Sequence, residues 1–231
     1  MILNYNSFIE TLIDAGFSMG GSNDEGIYAI IPWNWKEEPP YETPVRWYCD
    51  IPDIDPAHWI DRILNERKDI AYGKLFFKKT GYITEKWYPY FFAVRRGSMS
   101  FDEAYEDGKI SHFAKRIYDI VAGHDAVPLH TIKQSGGFTK EDKSGFDRAL
   151  TELQMKMFIS ACGKQQKLSQ KGEEYGWSSN VFCLTERFFE KDMFEQAAAI
   201  SIEEAKEKIT EQVLKLNPAA QQKKIDKFIY G

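Results

Sequence analysis

The chain of 231 residues holds only three cysteines, Cys49, Cys162 and Cys183, an odd number at wide spacing. That pattern excludes a disulfide framework and a CxxC-type metal site, and reduced thiols are expected. Histidine is also scarce: His58, His112, His124 and His130 form no HxH or HxxxH pair. Neither a metal nor any other cofactor is therefore expected. No GxSxG, no Gly-rich phosphate loop and no GxGxxG occurs, so nucleotide-dependent catalysis has no support in the motifs. No apolar run approaches the roughly 18 residues of a membrane span, which speaks against a membrane partner. The opening Met1 to Asn6 lacks a basic and an apolar region of the signal-peptide kind, and a cytoplasmic location is the expectation. An overall excess of positive charge is missing too. With a net charge of -5, contact with a polyanion must rest on a local basic surface.

What is present is globular. Apolar residues make up 43%, charged residues 28% and aromatics a generous 15%, so the chain can bury a sizeable core. Tyr5 to Ala15 places Phe8, Ile9, Leu12 and Ile13 at helical spacing before Gly16. Ile27 to Ile31 and Val45 to Asp50 are expected strands, and Asp55-Pro56 opens a helix from about Ala57 to Arg67. Ile70 to Val94 is dense in aromatics and ambiguous: Tyr72, Leu75 and Phe76 fit a helix, whereas Lys79-Thr80-Gly81 could turn a hairpin. The stretch from Ser98 to Gly108 has little periodicity and suggests a boundary. The expected fold class is α+β, a C-terminal winged helix-turn-helix packed on an aromatic-rich N-terminal α+β segment with a helical C-terminus. The expected divisions are 1–105, 108–190 and 191–231.

The winged-helix expectation comes from element order. Ser111 caps a helix ending at Gly123, and Val127-Pro128 starts a short one closed by Gly136-Gly137. Ser144 opens a third with Phe146, Leu150, Leu153 and Met157 on one face. Strands at Phe158 to Cys162 and Val181 to Thr185 flank a polar loop from Lys164 to Gly176. Helix, short helix, longer helix, strand, loop, strand is the order of a winged helix-turn-helix, with the loop as wing. After it, Ser201 to Glu204 forms a capping box before Ile202, Ala205, Ile209, Val213 and Leu216, and a last helix runs within Ala219 to Tyr230.

Phosphate contacts need outward basic side chains. From Lys140 to Lys171 seven basic residues stand against four acidic ones, a local balance of +3. The nucleic-acid-binding candidates are Lys140, Lys143, Arg148, Thr151, Lys156, Lys164, Gln166 and Lys167. Gln154 is a further candidate for the outer face of the third helix, and Gln165 and Gln170 for the wing. A second constellation, Trp33, Trp35, Trp47, Tyr48, Asp50, Asp53, Asp55, Trp59, Tyr72, Trp87 and Tyr88, could line an aromatic pocket with a carboxylate. Aromatics at such density otherwise fill cores, and carboxylates beside prolines cap helices.

Asp69 to Thr84, followed by Trp87-Tyr88-Pro89 and Phe91 to Arg96, resembles a bacterial family labelled AlkZ-related. So do Gly145 to Lys156, Gly172 and Tyr175-Gly176-Trp177, and the resemblance covers about residues 45–190. Its members are distant relatives of AlkZ-type DNA glycosylases, built from tandem winged helices, which excise alkylated or crosslinked bases. The resemblance implies DNA as partner and a setting in DNA repair. Those glycosylases use a Gln-apolar-Gln motif to place the attacking water, and this chain has no glutamine before Gln134. Gln154-Met155-Lys156 comes nearest and ends in lysine. Catalytic residues are not carried over, and in an active enzyme Asp50 or Asp53 would have to position water. Three functions follow: a DNA-binding protein without the catalytic motif, a glycosylase with a rearranged site, and a protein-interaction winged helix.

Overall fold

The structure, a computed structural model, describes residues 1–32, 42–168 and 171–231. Asn4 opens the first helix, α1 (Tyr5–Ala15). Its side chain accepts the Ser7 backbone N–H at 3.0 Å, while Ser7 Oγ accepts the Asn4 N–H at 3.0 Å. The helix ends at Gly16, whose φ of 87° favours glycine and where a Cβ would fall 2.1 Å from the Trp87 ring. Strand β1 (Phe17–Met19) follows at once.

Neither Ile27–Ile31 nor Val45–Asp50 is a strand, contrary to the sequence expectation. The first is held by isolated bonds, Met19 N–H to Tyr28 O at 2.9 Å and Ile30 N–H to Ser18 Oγ at 3.0 Å, while Ile27 and Ala29 are buried. Hydrophobic burial alone produces the strand-like pattern. The second is bent by Tyr48, whose φ of 58° is incompatible with extended backbone. A 3₁₀ turn over Pro52–Ile54 then leads into α2 (Pro56–Glu66), which buries Trp59, Ile63 and Leu64.

The aromatic stretch resolves as a hairpin and then a helix. Strands β2 (Ile70–Phe76) and β3 (Lys79–Thr84) pair antiparallel, with β1 on the far side of β3. Phe77 and Lys78 make the turn with φ of 50° and 61°, so Lys79 to Gly81 belongs to β3. Helix α3 (Tyr88–Arg95) follows, then α4 (Phe101–Glu106), capped reciprocally by Ser100 and Glu103. With six residues and only Phe101 and Ala104 buried, α4 shows no period in the sequence.

Next come α5 (His112–Ala122) capped by Ser111, β4 (Val127–Pro128), α6 (Leu129–Ser135), α7 (Lys143–Met155), β5 (Ile159–Leu168) and β6 (Glu174–Leu184). The sheet order is β4-β6-β5, antiparallel throughout. Helix α7 starts at Lys143 rather than at a Ser144 box, because Asp142 accepts the Thr139 N–H at 2.8 Å and turns the chain before it. Most of the expected loop from Lys164 to Gly176 is ladder, pairing Lys164 with Asn180, Gln165 with Ser179 and Lys167 with Tyr175. Helices α8 (Thr185–Phe188), α9 (Lys191–Ala199), α10 (Ile202–Leu216) and α11 (Gln222–Tyr230) complete the chain. Ser201 caps α10 by accepting the Glu204 N–H at 3.1 Å.

Buried apolar residues fall into three clusters. One joins Phe17, Phe76 and Phe91 to Ile225 and Phe228 of α11. A second runs from Phe101 to Phe182 through Ile117, Phe146 and Leu153, taking in Leu64 of α2. The third packs α1 on α2 through Leu12, Trp59 and Ile63. The α11 cluster ties the C-terminal helices to the first sheet, far away in sequence. Among the described residues no helix is long and apolar enough to cross a membrane.

Candidate nucleic-acid interface

Helix α7 buries Phe146, Ala149, Leu150, Leu153 and Gln154, which form one face at three- and four-residue steps. In its first turns Lys143, Ser144, Asp147 and Arg148 are exposed, Arg148 opposite the buried stripe, and Thr151 is half-buried. Lys140 is exposed just ahead of the helix. Among the described residues, the side chains of Lys140, Lys143 and Arg148 have no ion pair or hydrogen bond.

Of the remaining described candidates, all but Gln165 and Lys167 have side-chain partners among the described residues. Thr151 Oγ1 donates to Asp147 O at 2.8 Å. Lys156 donates to Lys109 O and lies 3.4 Å from Glu152, which itself accepts the Ser111 hydroxyl at 2.7 Å. Lys164 is ion-paired with Asp61 of α2, and its backbone N–H donates to Asn65 Oδ1 at 3.1 Å. Lys164 thus fastens the unit to α2, whereas the contacts of Lys156 stay within it. Gln166 donates to Gly176 O at 2.7 Å across the hairpin, while Lys167 is half-buried without an ion pair and Gln165 is exposed. Gln170 lies outside the described residues.

Gln154 is not on the outer face. It is 5% exposed, its Oε1 accepts the Lys74 backbone N–H at 3.0 Å, and its Nε2 donates to Leu150 O at 2.9 Å. Gly73 permits this approach, since a Cβ there would meet Oε1 at 2.6 Å. The end of α7 thus docks on β2, which leaves the N-terminal half as its accessible part.

Two residues missing from the sequence candidates stand out on the hairpin: Trp177, 90% exposed, and Tyr175, 54% exposed. A Tyr-Gly-Trp triplet inside an otherwise polar Lys/Gln-rich stretch is the signal that marks them. The hairpin is joined to α6 by the 2.6 Å contact between His130 Nδ1 and Ser179 Oγ.

The aromatic-acidic constellation divides. Trp59 and Tyr88 are core, each 1% exposed, and Trp87 packs against the first cluster. Asp55 is a helix cap, its Oδ1 accepting the N–H of Ala57 at 2.9 Å and of Tyr48 at 3.0 Å. Asp50 and Asp53 are exposed, on either side of Ile51 and Pro52. Trp47, Tyr48 and Tyr72 instead line a cavity of about 420 Å³ with Lys74, Lys79 and Thr80, and neither Asp50 nor Asp53 reaches it. Burial pushes the Tyr72 hydroxyl up to about 12 despite a hydrogen bond from Thr80. Trp33 and Trp35 lie outside the described residues. Among the described residues, no cluster of three or more His, Cys, Asp or Glu could hold a metal ion.

A family model described as AlkZ related matches residues 2–230, well beyond the 45–190 that carry the resemblance in the sequence. No curated protein and no solved structure matches.

Proposed function

The chain belongs to the AlkZ-related family, and from that premise we propose that it binds DNA through residues 108–190, acting as a winged helix-turn-helix, without the paired glutamines of the AlkZ-type glycosylases. The carrying observation is the state of Lys140, Lys143 and Arg148: exposed, adjacent in one unit, and without an acidic partner among the described residues. Several other lysines are joined to carboxylates, as Lys79 and Lys224 with Glu25, or Lys115 with Asp119. Cations left open on the outward face of a third helix are suited to phosphate oxygens.

The order α5, β4, α6, α7, β5, β6, with β4 joined to the hairpin, supports the winged-helix reading. In it α7 enters a groove by its N-terminal half, and the β5–β6 hairpin is the wing. Lys167 and Gln166 supply its polar contacts, and Trp177 and Tyr175 offer faces to a sugar or an unstacked base. Thr151, Lys156 and Lys164 contribute less, because intramolecular partners already hold them. The proposed division at 1–105, 108–190 and 191–231 gives this unit its own function. Kinship with base-excising enzymes puts the binding in DNA repair.

The reading is tested by fluorescence anisotropy with a labelled duplex at low salt. Lys143→Ala combined with Arg148→Ala should weaken binding roughly tenfold or more, and to the same degree for any duplex sequence, since phosphate contacts carry no sequence information. Lys191→Ala on α9 should change nothing, since that side chain pairs with Glu195 at 3.3 Å. Absence of duplex binding would overturn the reading in favour of a protein-interaction module.

A further inference from the structure

The 420 Å³ cavity has no part in contact through α7 and is built from other elements: the end of β1, the β2–β3 hairpin and the loop before α2. Its volume lies within the range of about 300–1,000 Å³ typical of small-molecule sites. Tyr48, on its wall, holds a φ of 58° that bulky residues seldom adopt, while the residue is 76% exposed and, among the described residues, its ring packs on that of Trp47 alone, at 5.9 Å between centroids. Core packing does not require that ring where it is. The conformation is fixed from behind, by the Tyr48 N–H donating to the same Asp55 oxygen that caps α2. Strain held in place by a neighbouring cap, with an aromatic ring left open, points to a ligand.

The charge of the wall is one-sided. Lys74 is exposed with no side-chain partner among the described residues, and Lys79 reaches the cavity from β3 with its ammonium held by Glu25 at 3.0 Å; among the described residues no aspartate or glutamate lines the cavity. Thr80 and Ser22 add hydroxyls. Aromatic faces beside the open ammonium of Lys74 suit a planar ring that carries an anion.

We propose that this cavity binds a single nucleotide, its base against Tyr48, Trp47 and Tyr72 and its phosphate on Lys74. The nucleotide is either a free nucleoside monophosphate or an unstacked residue of a single strand; the chemistry is the same.

The test is calorimetric titration of the full chain with adenosine 5′-monophosphate, ribose 5-phosphate and a pentanucleotide single strand. Two variants accompany it. Lys74→Ala removes a phosphate contact, and Tyr48→Gly removes the ring where glycine adopts the backbone angle freely, so its melting temperature should not fall. Saturable binding of the monophosphate or of the strand is expected, weakened about tenfold by each substitution and absent for ribose 5-phosphate. Binding of the strand alone supports the proposal and identifies the source as a strand. Absence of binding by both, or binding that neither substitution alters, would overturn it. Lys143→Ala with Arg148→Ala should leave monophosphate binding intact, which separates failure here from failure of the α7 reading.

Discussion

The guanidinium of Arg95 donates to four backbone carbonyls, those of Ile229 at 2.8 Å, Leu75 and Phe228 at 2.7 Å and Met155 at 3.3 Å. It also lies 5.2 Å from the Phe76 ring centroid and 5.1 Å from that of Phe91. Burial draws its pKa down to about 9, which still leaves it charged at neutral pH. One side chain therefore closes the ends of β2, α7 and α11 on one another. Arg95→Met should cost roughly 3 kcal/mol or more, because several carbonyls lose their donor where water reaches them poorly. Urea denaturation would measure it, and a loss under about 1 kcal/mol would show that water replaces the guanidinium. Gln154→Leu should cost about 1–3 kcal/mol by orphaning the Lys74 N–H, with duplex binding unchanged. Neither role is legible in the sequence. Arg95 sits in an Arg-Arg pair, and Gln154 sits on a polar helix beside Lys156; only contacts from distant segments, Phe228 to Gly231 and Gly73-Lys74, define what they do. The outward Arg148 is legible, since it falls opposite the apolar positions that α7 buries.

Elements are legible where they are long and capped. Helices α1, α2, α5 and α10 follow their apolar spacing and their Asn, Asp or Ser caps. Sequence and structure part where burial lacks a ladder, at Ile27–Ile31, or where one residue leaves extended space, at Tyr48. The β5–β6 hairpin reads as loop because its lysines and glutamines mask the strands, and the first five residues of β6 are exposed. A different link between elements runs through Glu25, whose carboxylate meets Lys224 of α11 at 2.5 Å and Lys79 of β3 at 3.0 Å. Hydrogen bonds from Lys224 first, then Lys79, hold its pKa below the ordinary 4.5. A depressed folded pKa contributes stability that is complete above 4.5 and disappears as pH falls through the folded value. The melting temperature of Glu25→Gln should accordingly lie below wild type at pH 7. The gap should close below about pH 4, in thermal melts run across pH. A gap that persists in acid would mean the carboxylate acts through packing and not charge.

At the scale of the whole molecule the charge is arranged against its own average. The protein is acidic overall, with a net charge of -5, yet the stretch from Lys140 to Lys171 is basic, and Lys140, Lys143 and Arg148 are unpaired among the described residues. The acidic remainder should repel a duplex and help confine binding to one unit. Membership of the AlkZ-related family spans nearly the whole chain, and the α7 face, the hairpin aromatics and the nucleotide-sized cavity are the features through which it would engage DNA. The most direct test is the salt dependence of duplex affinity between about 50 and 200 mM, for wild type and for the triple variant Lys140→Ala, Lys143→Ala, Arg148→Ala. Log affinity of the wild type should fall linearly with log salt, and the triple variant should bind weakly with a slope shallower by about 0.9 for each phosphate that the variant leaves without a cation. A slope identical in the two proteins, or no binding at the lowest salt, would contradict the account.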